Sequence, residues 1–137
     1  MWWIYALLSA LFAALTAIFA KTGIKNINTD LAVAIRTVVV LVMTWAVVLF
    51  RNGAANIGGL TRSNILFLVL SGITTGLSWM FYFRAIAIGK VSDVAPVDKL
   101  SLALTIIFSV IFLGETVSLK AAIGASCIII GTVIMIA

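Results

Sequence analysis

Four charged side chains stand inside long apolar stretches of this 137-residue chain: Arg36, Arg84, Asp98 and Lys99. A charge at the centre of a membrane helix costs about 3 kcal/mol or more, so such positions are candidates for a binding site or a gate. Arginine and lysine suit an anionic or carboxylate-bearing ligand, whereas an aspartate can carry a proton or hold a cation. Counted inward from the ends of their runs at about 1.5 Å per residue, all four sit roughly 6–10 Å below one membrane face. Lys21 lies above them. For the basic residues two readings stand side by side: a functional cluster, or long stems snorkelling to the interface. Asp98 is too short to snorkel, so it must be paired or wet. Lys99 follows it about 100° round a helix. The expected partners of Asp98 are therefore Arg36, Arg84 or the Lys99 of another subunit, either in a working site or in a structural ion pair.

Other chemistry is missing. The chain has no histidine, which removes the commonest acid–base side chain and metal ligand. Its one cysteine, Cys127, lies in an apolar run with no partner for a disulfide or zinc motif. No nucleophile–base pair is visible, so neither an enzyme, a metal nor a cofactor is expected. The formal net charge is +5, but the cations are scattered between apolar runs, as topology and anionic-lipid contacts require. Nucleic acid is not an expected partner.

The elements that must carry these residues are membrane helices. Hydrophobic residues make up 64% of the chain and charged ones 9%, against roughly 45–50% and about 25% in soluble domains. The apolar runs predict five transmembrane helices over about 3–20, 31–50, 65–88, 91–113 and 121–136. The fold expected is therefore an all-α integral membrane protein forming one domain over 1–137. Asn28-Thr29-Asp30 offers capping chemistry for the second helix, Ser92 or Asp93 for the fourth, and Ser118 for the fifth. Pro96 is expected in the first turn of the fourth helix, where a missing N–H is tolerated. The first run follows Met1-Trp2 without a basic segment and reads as a retained helix.

An odd number of spans puts the two termini on opposite sides. Loops on the N-terminal side carry Arg51, Arg62 and Lys120, and those on the other side carry Lys21, Lys25 and Lys90. This tie gives no firm orientation and permits insertion both ways. Gly72 and Gly76, beside Ser71 and Thr75, offer a close-approach face on the third helix, and Gly124 and Gly131 share a face of the last. Trp2, Trp3, Tyr5 and Trp45 read as an interfacial belt, and Glu115 as a boundary charge near Lys120. Trp79 and Tyr82 are deeper, either packed or lining a cavity beside Arg84.

The stretches Gly76-Leu-Ser-Trp-Met-Phe-Tyr-Phe-Arg-Ala-Ile-Ala-Ile-Gly89, Val94-Ala-Pro-Val-Asp-Lys-Leu-Ser101 and Phe112-Leu-Gly-Glu115 resemble the EamA-type repeat of the drug/metabolite transporter superfamily. Ile18-Phe-Ala-Lys-Thr-Gly-Ile24 and Ala34-Ile-Arg36 extend the likeness over nearly the whole chain, which resembles the five-helix bacterial and archaeal single-repeat branch. The resemblance implies a secondary transporter of small metabolites or toxic compounds in the cytoplasmic membrane. Ten-helix relatives hold two inverted repeats around a central cavity, lined mainly by helices 1, 3 and 4. Carried over by position, Arg36, Trp79, Tyr82, Arg84, Asp98, Lys99 and Ser101 become candidates for that cavity or its gates. A single repeat supplies half a cavity, so an antiparallel homodimer with alternating access is expected, bound by lipid and taking a small-molecule substrate. The alternative is a non-transporting membrane subunit that binds a partner protein.

Overall fold

The computed structural model describes residues 1–137. It is 86% helical and has no strands. The helices are α1 (Trp2–Gly23), α2 (Thr29–Phe50), α3 (Arg62–Ile88), α4 (Val91–Asp98), α5 (Leu100–Leu113) and α6 (Leu119–Ile136), with a 3-10 segment at Gly53–Gly59. Five segments are long and apolar enough to cross a membrane: α1, α2, α3, the Val91–Leu113 stretch that contains α4 and α5, and α6. At about 1.5 Å per residue even the shortest, the 18-residue α6, nearly covers a hydrocarbon core of about 30 Å.

Helix ends follow local chemistry. The Asn28 side chain accepts from the amides of Asp30 at 2.7 Å and Leu31 at 3.4 Å, capping α2. Thr61 caps α3 through its hydroxyl, which accepts from the Asn64 amide at 3.2 Å. The helix therefore starts at Arg62, ahead of the apolar run that begins at Ile65. Ser118 caps α6 by accepting from the Ala121 amide at 3.2 Å. Gly114, at φ 66°, ends α5 in the left-handed conformation, and the Glu115 amide turns back to the Ser109 carbonyl at 3.2 Å. A Cβ at Gly114 would strain that turn.

Hydroxyls inside the spans are spent on their own helices. Thr16, Thr37, Thr44, Thr74, Thr75, Thr105 and Ser126 each donate to a carbonyl one turn back. Such back-bonding satisfies a polar group where water is absent, and these residues are compatible with a lipid-facing surface.

Two compact units divide the chain, Phe19–Ala87 and the pair Met1–Ile18 with Ile88–Ala137. In the first, Phe83 and Ile86 of α3 are fully buried, and Ile24 and Val33 are also buried. In the second, α6 packs against both α4 and α5. Here the fourth span departs from a continuous helix. It starts at Val91 with Lys90 as its N-cap, whose carbonyl accepts from the amides of Asp93 and Val94. Neither Ser92 nor Asp93 is the cap; the Ser92 hydroxyl donates to the Asp93 carboxylate at 3.0 Å. Pro96 consequently lies in the second turn of α4, beyond the first-turn position expected from the sequence. There it deprives the Ser92 carbonyl of a donor and crowds the preceding turn.

The helix breaks just after this proline. The Lys99 amide donates to the Pro96 carbonyl, and the Leu102 amide to the Lys99 carbonyl, both at 3.0 Å. These i to i+3 bonds mark a tightened 3-10 turn between α4 and α5. Thr132 of α6, 3% exposed, faces the break. Its one hydroxyl proton lies between two carbonyls, that of Ile128 at 2.8 Å and that of Pro96 at 3.3 Å, with the shorter contact the stronger. Thr132→Val keeps the shape and removes both hydrogen bonds, and should lower stability by about 1 kcal/mol. Thr132→Ser should stay near the parent. Thermal unfolding of the three proteins in one detergent checks this; an unshifted valine variant would mean that the hydroxyl holds nothing.

Candidate functional site

Six candidates lie on α3 and on the interrupted fourth span, and Arg36 lies on α2. Within the unit Phe19–Ala87, two contacts join α2 to α3. Arg84 Nη2 donates to both carboxylate oxygens of Asp30, at 3.2 and 3.0 Å. Deeper along α2, the Arg36 guanidinium carbon lies 4.1 Å from the Trp79 ring centroid and 5.4 Å from that of Phe83. The order reverses from one helix to the other, Asp30 meeting Arg84 and Arg36 meeting Trp79, so α2 and α3 run antiparallel with side chains fixing the register. Trp79, Phe83 and Ile86 recur at spacings of four and three, which puts them on one face of α3. Tyr82, also within that turn, is an electrostatic neighbour of Arg36.

Arg84 thus finds its carboxylate in Asp30 and not in Asp98, for which it was one of three expected partners. The reason is helix polarity. Asp30 stands in the first turn of α2 and Arg84 in the last turns of α3, so each complements the partial charge of its own helix end. Both side chains are about half exposed. Lys21 works similarly: its ammonium donates to the Ile86 carbonyl, one of the last four carbonyls of α3, which lack intrahelical donors. Capping a neighbouring helix, more than snorkelling, accounts for Lys21.

Within the other unit, Asp98 meets Lys99 of the same chain, Nζ to Oδ2 at 3.7 Å. Within the chain, neither Arg36 nor Arg84 is its partner, contrary to expectation: the lysine stem is long enough to turn back on its neighbour where the helix is interrupted. Lys99 also edges a shallow apolar pocket of about 470 Å³, formed with Ala95 and Pro96 of α4 and with Cys127, Ile128, Gly131, Thr132 and Met135 of α6. Ser101 is exposed in the first turn of α5, and its carbonyl accepts from Thr105. At Gly72, Gly76, Gly124 and Gly131 a Cβ would meet nothing within 4 Å. Their small faces are open within one chain.

Sequence reasoning missed Asp30 and Phe83 as members of the α2–α3 cluster. Asp30 was absorbed by its position in a capping sequence. Phe83 was legible only as the middle of the stripe that includes Trp79 and Ile86.

Comparison with known proteins decides the class. The model of the EamA-like transporter family matches residues 1–137. The chain belongs to the EamA-like transporter family. It is a multi-pass membrane protein of a family of transporters, not of enzymes. A relative from a Sinorhizobium species, an uncharacterized transporter in the cobO 3′ region, is 46% identical over 134 residues, covering 98% of this chain and 95% of the relative. An uncharacterized protein of Methanocaldococcus jannaschii is 31% identical over 67 residues, covering 49% of each chain. No solved structure matches the chain significantly.

The Asp30–Arg84 pair gives this EamA member a specific test. Asp30→Arg and Arg84→Asp should each lower thermal stability, because each juxtaposes like charges and opposes a helix dipole. The double exchange should recover only the pairing part, about 1 kcal/mol for side chains half exposed. Midpoints that are strictly additive across the cycle would show that the two residues do not interact.

Proposed function

We propose that this EamA member is a secondary transporter of small metabolites or toxic compounds, acting by alternating access as an antiparallel homodimer in a bacterial or archaeal cytoplasmic membrane. The observation that carries the reading is the interruption of the fourth span at Asp98 and Lys99. Pro96 produces the break, and it falls where the span carries an ion pair. Secondary transporters use broken helices at their substrate and ion sites, where freed backbone groups and charges face a cavity. One chain holds a single repeat, with glycine faces open on α3 and α6. A second, inverted copy supplies the missing half, and equal loop charge on the two sides leaves each orientation accessible. Lipid fills the remaining apolar surface. A partner-binding subunit without transport is the outcome to be excluded.

Purified protein in liposomes tests the reading: substrate flux above that of empty vesicles supports it, and its absence across a metabolite and toxic-cation panel counts against it. Asp98→Asn keeps the size and removes the titratable group, so flux should fall sharply and lose its dependence on a proton gradient while the protein stays folded. Parental flux with parental pH dependence would remove Asp98 from the mechanism. For the antiparallel dimer, a tag after Ala137 should be accessible from both faces of the membrane in cells. One strict orientation, unchanged by a lysine added to either loop face, would exclude it.

A further inference from the structure

We infer that the Arg36 guanidinium, stacked on Trp79 within the membrane, is a binding site for a compact organic anion, a carboxylate or phosphate with an apolar body. The inference rests on the transport reading and names the substrate class for this half of the site. The guanidinium carbon lies 4.1 Å over the Trp79 ring centroid, and a cation–π contact to the ring does not use up the N–H donors, which remain as the binding edge. A planar edge of paired donors matches a carboxylate or phosphate in a bidentate arrangement. The site is held in place, because Phe83, the second ring against Arg36, is fully buried.

Charge accounting points the same way. The chain has 4 acidic residues. Asp30 is engaged by Arg84 and Asp98 by Lys99. Asp93 lies in the first turn of α4, where it accepts from Ser92, and Glu115 follows the end of α5. Arg36 therefore carries its charge inside a membrane span on aromatic support, while the two other embedded cations have carboxylates. An anion entering the site supplies the missing counter-charge, and the surrounding rings favour an apolar body on it. A cationic ligand would compete with Arg36 for the same aromatic face and meet its repulsion.

The experiment uses three near-isosteric probes, benzoate, benzamide and benzylammonium, with phenyl phosphate as a second anion. Binding to the purified full-length protein in detergent is read by calorimetric titration. Benzoate or phenyl phosphate should bind at least about tenfold more tightly than benzamide, with benzylammonium weakest. Arg36→Lys keeps the charge but loses the planar fork, and should weaken anion binding by about tenfold. Arg36→Gln should abolish the preference. Trp79→Leu should weaken it while leaving Arg36 in the chain, and Lys120→Gln, at the start of α6, should bind as the parent does. Equal binding of the three isosteres, or an unchanged preference in a folded Arg36→Gln protein, would overturn the site. So would lack of binding by both anions in a parent that transports some other compound, which leaves the transport reading intact. Anion binding lost in Arg36→Gln, in a protein with no flux in liposomes, would keep the site and remove the transporter.

Discussion

Hydrocarbon offers no hydrogen bonds, so every amide, carbonyl and charge that enters it must be satisfied by the protein itself. The irregular features of this chain follow from that constraint. Hydroxyls within the spans bond back to their own helices. The Ile86 carbonyl, left over at the end of α3, is taken by the ammonium of Lys21 from α1. At the break in the fourth span the Pro96 carbonyl accepts from the Lys99 amide and faces the hydroxyl of a buried threonine from α6, while the Lys99 carbonyl accepts from the Leu102 amide. A soluble protein would leave several of these groups to water. Here the Ile86 and Pro96 carbonyls become reasons for one helix to meet another.

The same constraint sorts the embedded cations by position. Arg84 lies near the end of α3, where a carboxylate from the opening turn of α2 reaches it and where helix dipoles favour both charges. Lys99 has its counter-charge next door in sequence, and the interrupted helix gives the long stem room to reach it. Arg36 has neither arrangement. Its support is aromatic, from Trp79 and Phe83, one face of α3. Cation–π contacts contribute about 0.5–2 kcal/mol, less than the roughly 3 kcal/mol or more that a charge at the middle of a span costs. The rings therefore offset only part of the cost of holding Arg36 within the span.

Five spans, their order and two of the helix caps, Asn28 and Ser118, were legible in the sequence, because apolar length and Asn or Ser before a run are local signals. So was the family, whose motifs lie along the chain in fixed order. The break at Lys99 was not. Proline in the first turn of a helix is harmless and in the second is disruptive, and the two cases differ by a shift of a few residues in where the helix starts. The apolar run opens at 91, where the helix does start, but a cap at Ser92 or Asp93 would put the first helical residue two or three positions later. The pairs Arg84–Asp30 and Arg36–Trp79 were also out of reach, since they depend on the register between α2 and α3. Once Asp30 and Arg84 are joined, an antiparallel arrangement brings Arg36 opposite Trp79 with no further information.

The two charged stations differ in their sum. Asp98 and Lys99 cancel, whereas Asp30, Arg84 and Arg36 together leave one formal positive charge where α2 meets α3. A neutral station can pass through a rearrangement in low dielectric with little change in solvation. A charged one resists any motion that strips it further from polar surroundings, because the desolvation penalty rises steeply with depth. With an anion on Arg36, both stations are neutral, and the barrier from charge burial falls for the loaded state relative to the empty one. Such a difference favours movement with ligand over movement without it. On the proposed reading, the charge balance within the spans is itself a means of tying conformational change to occupancy.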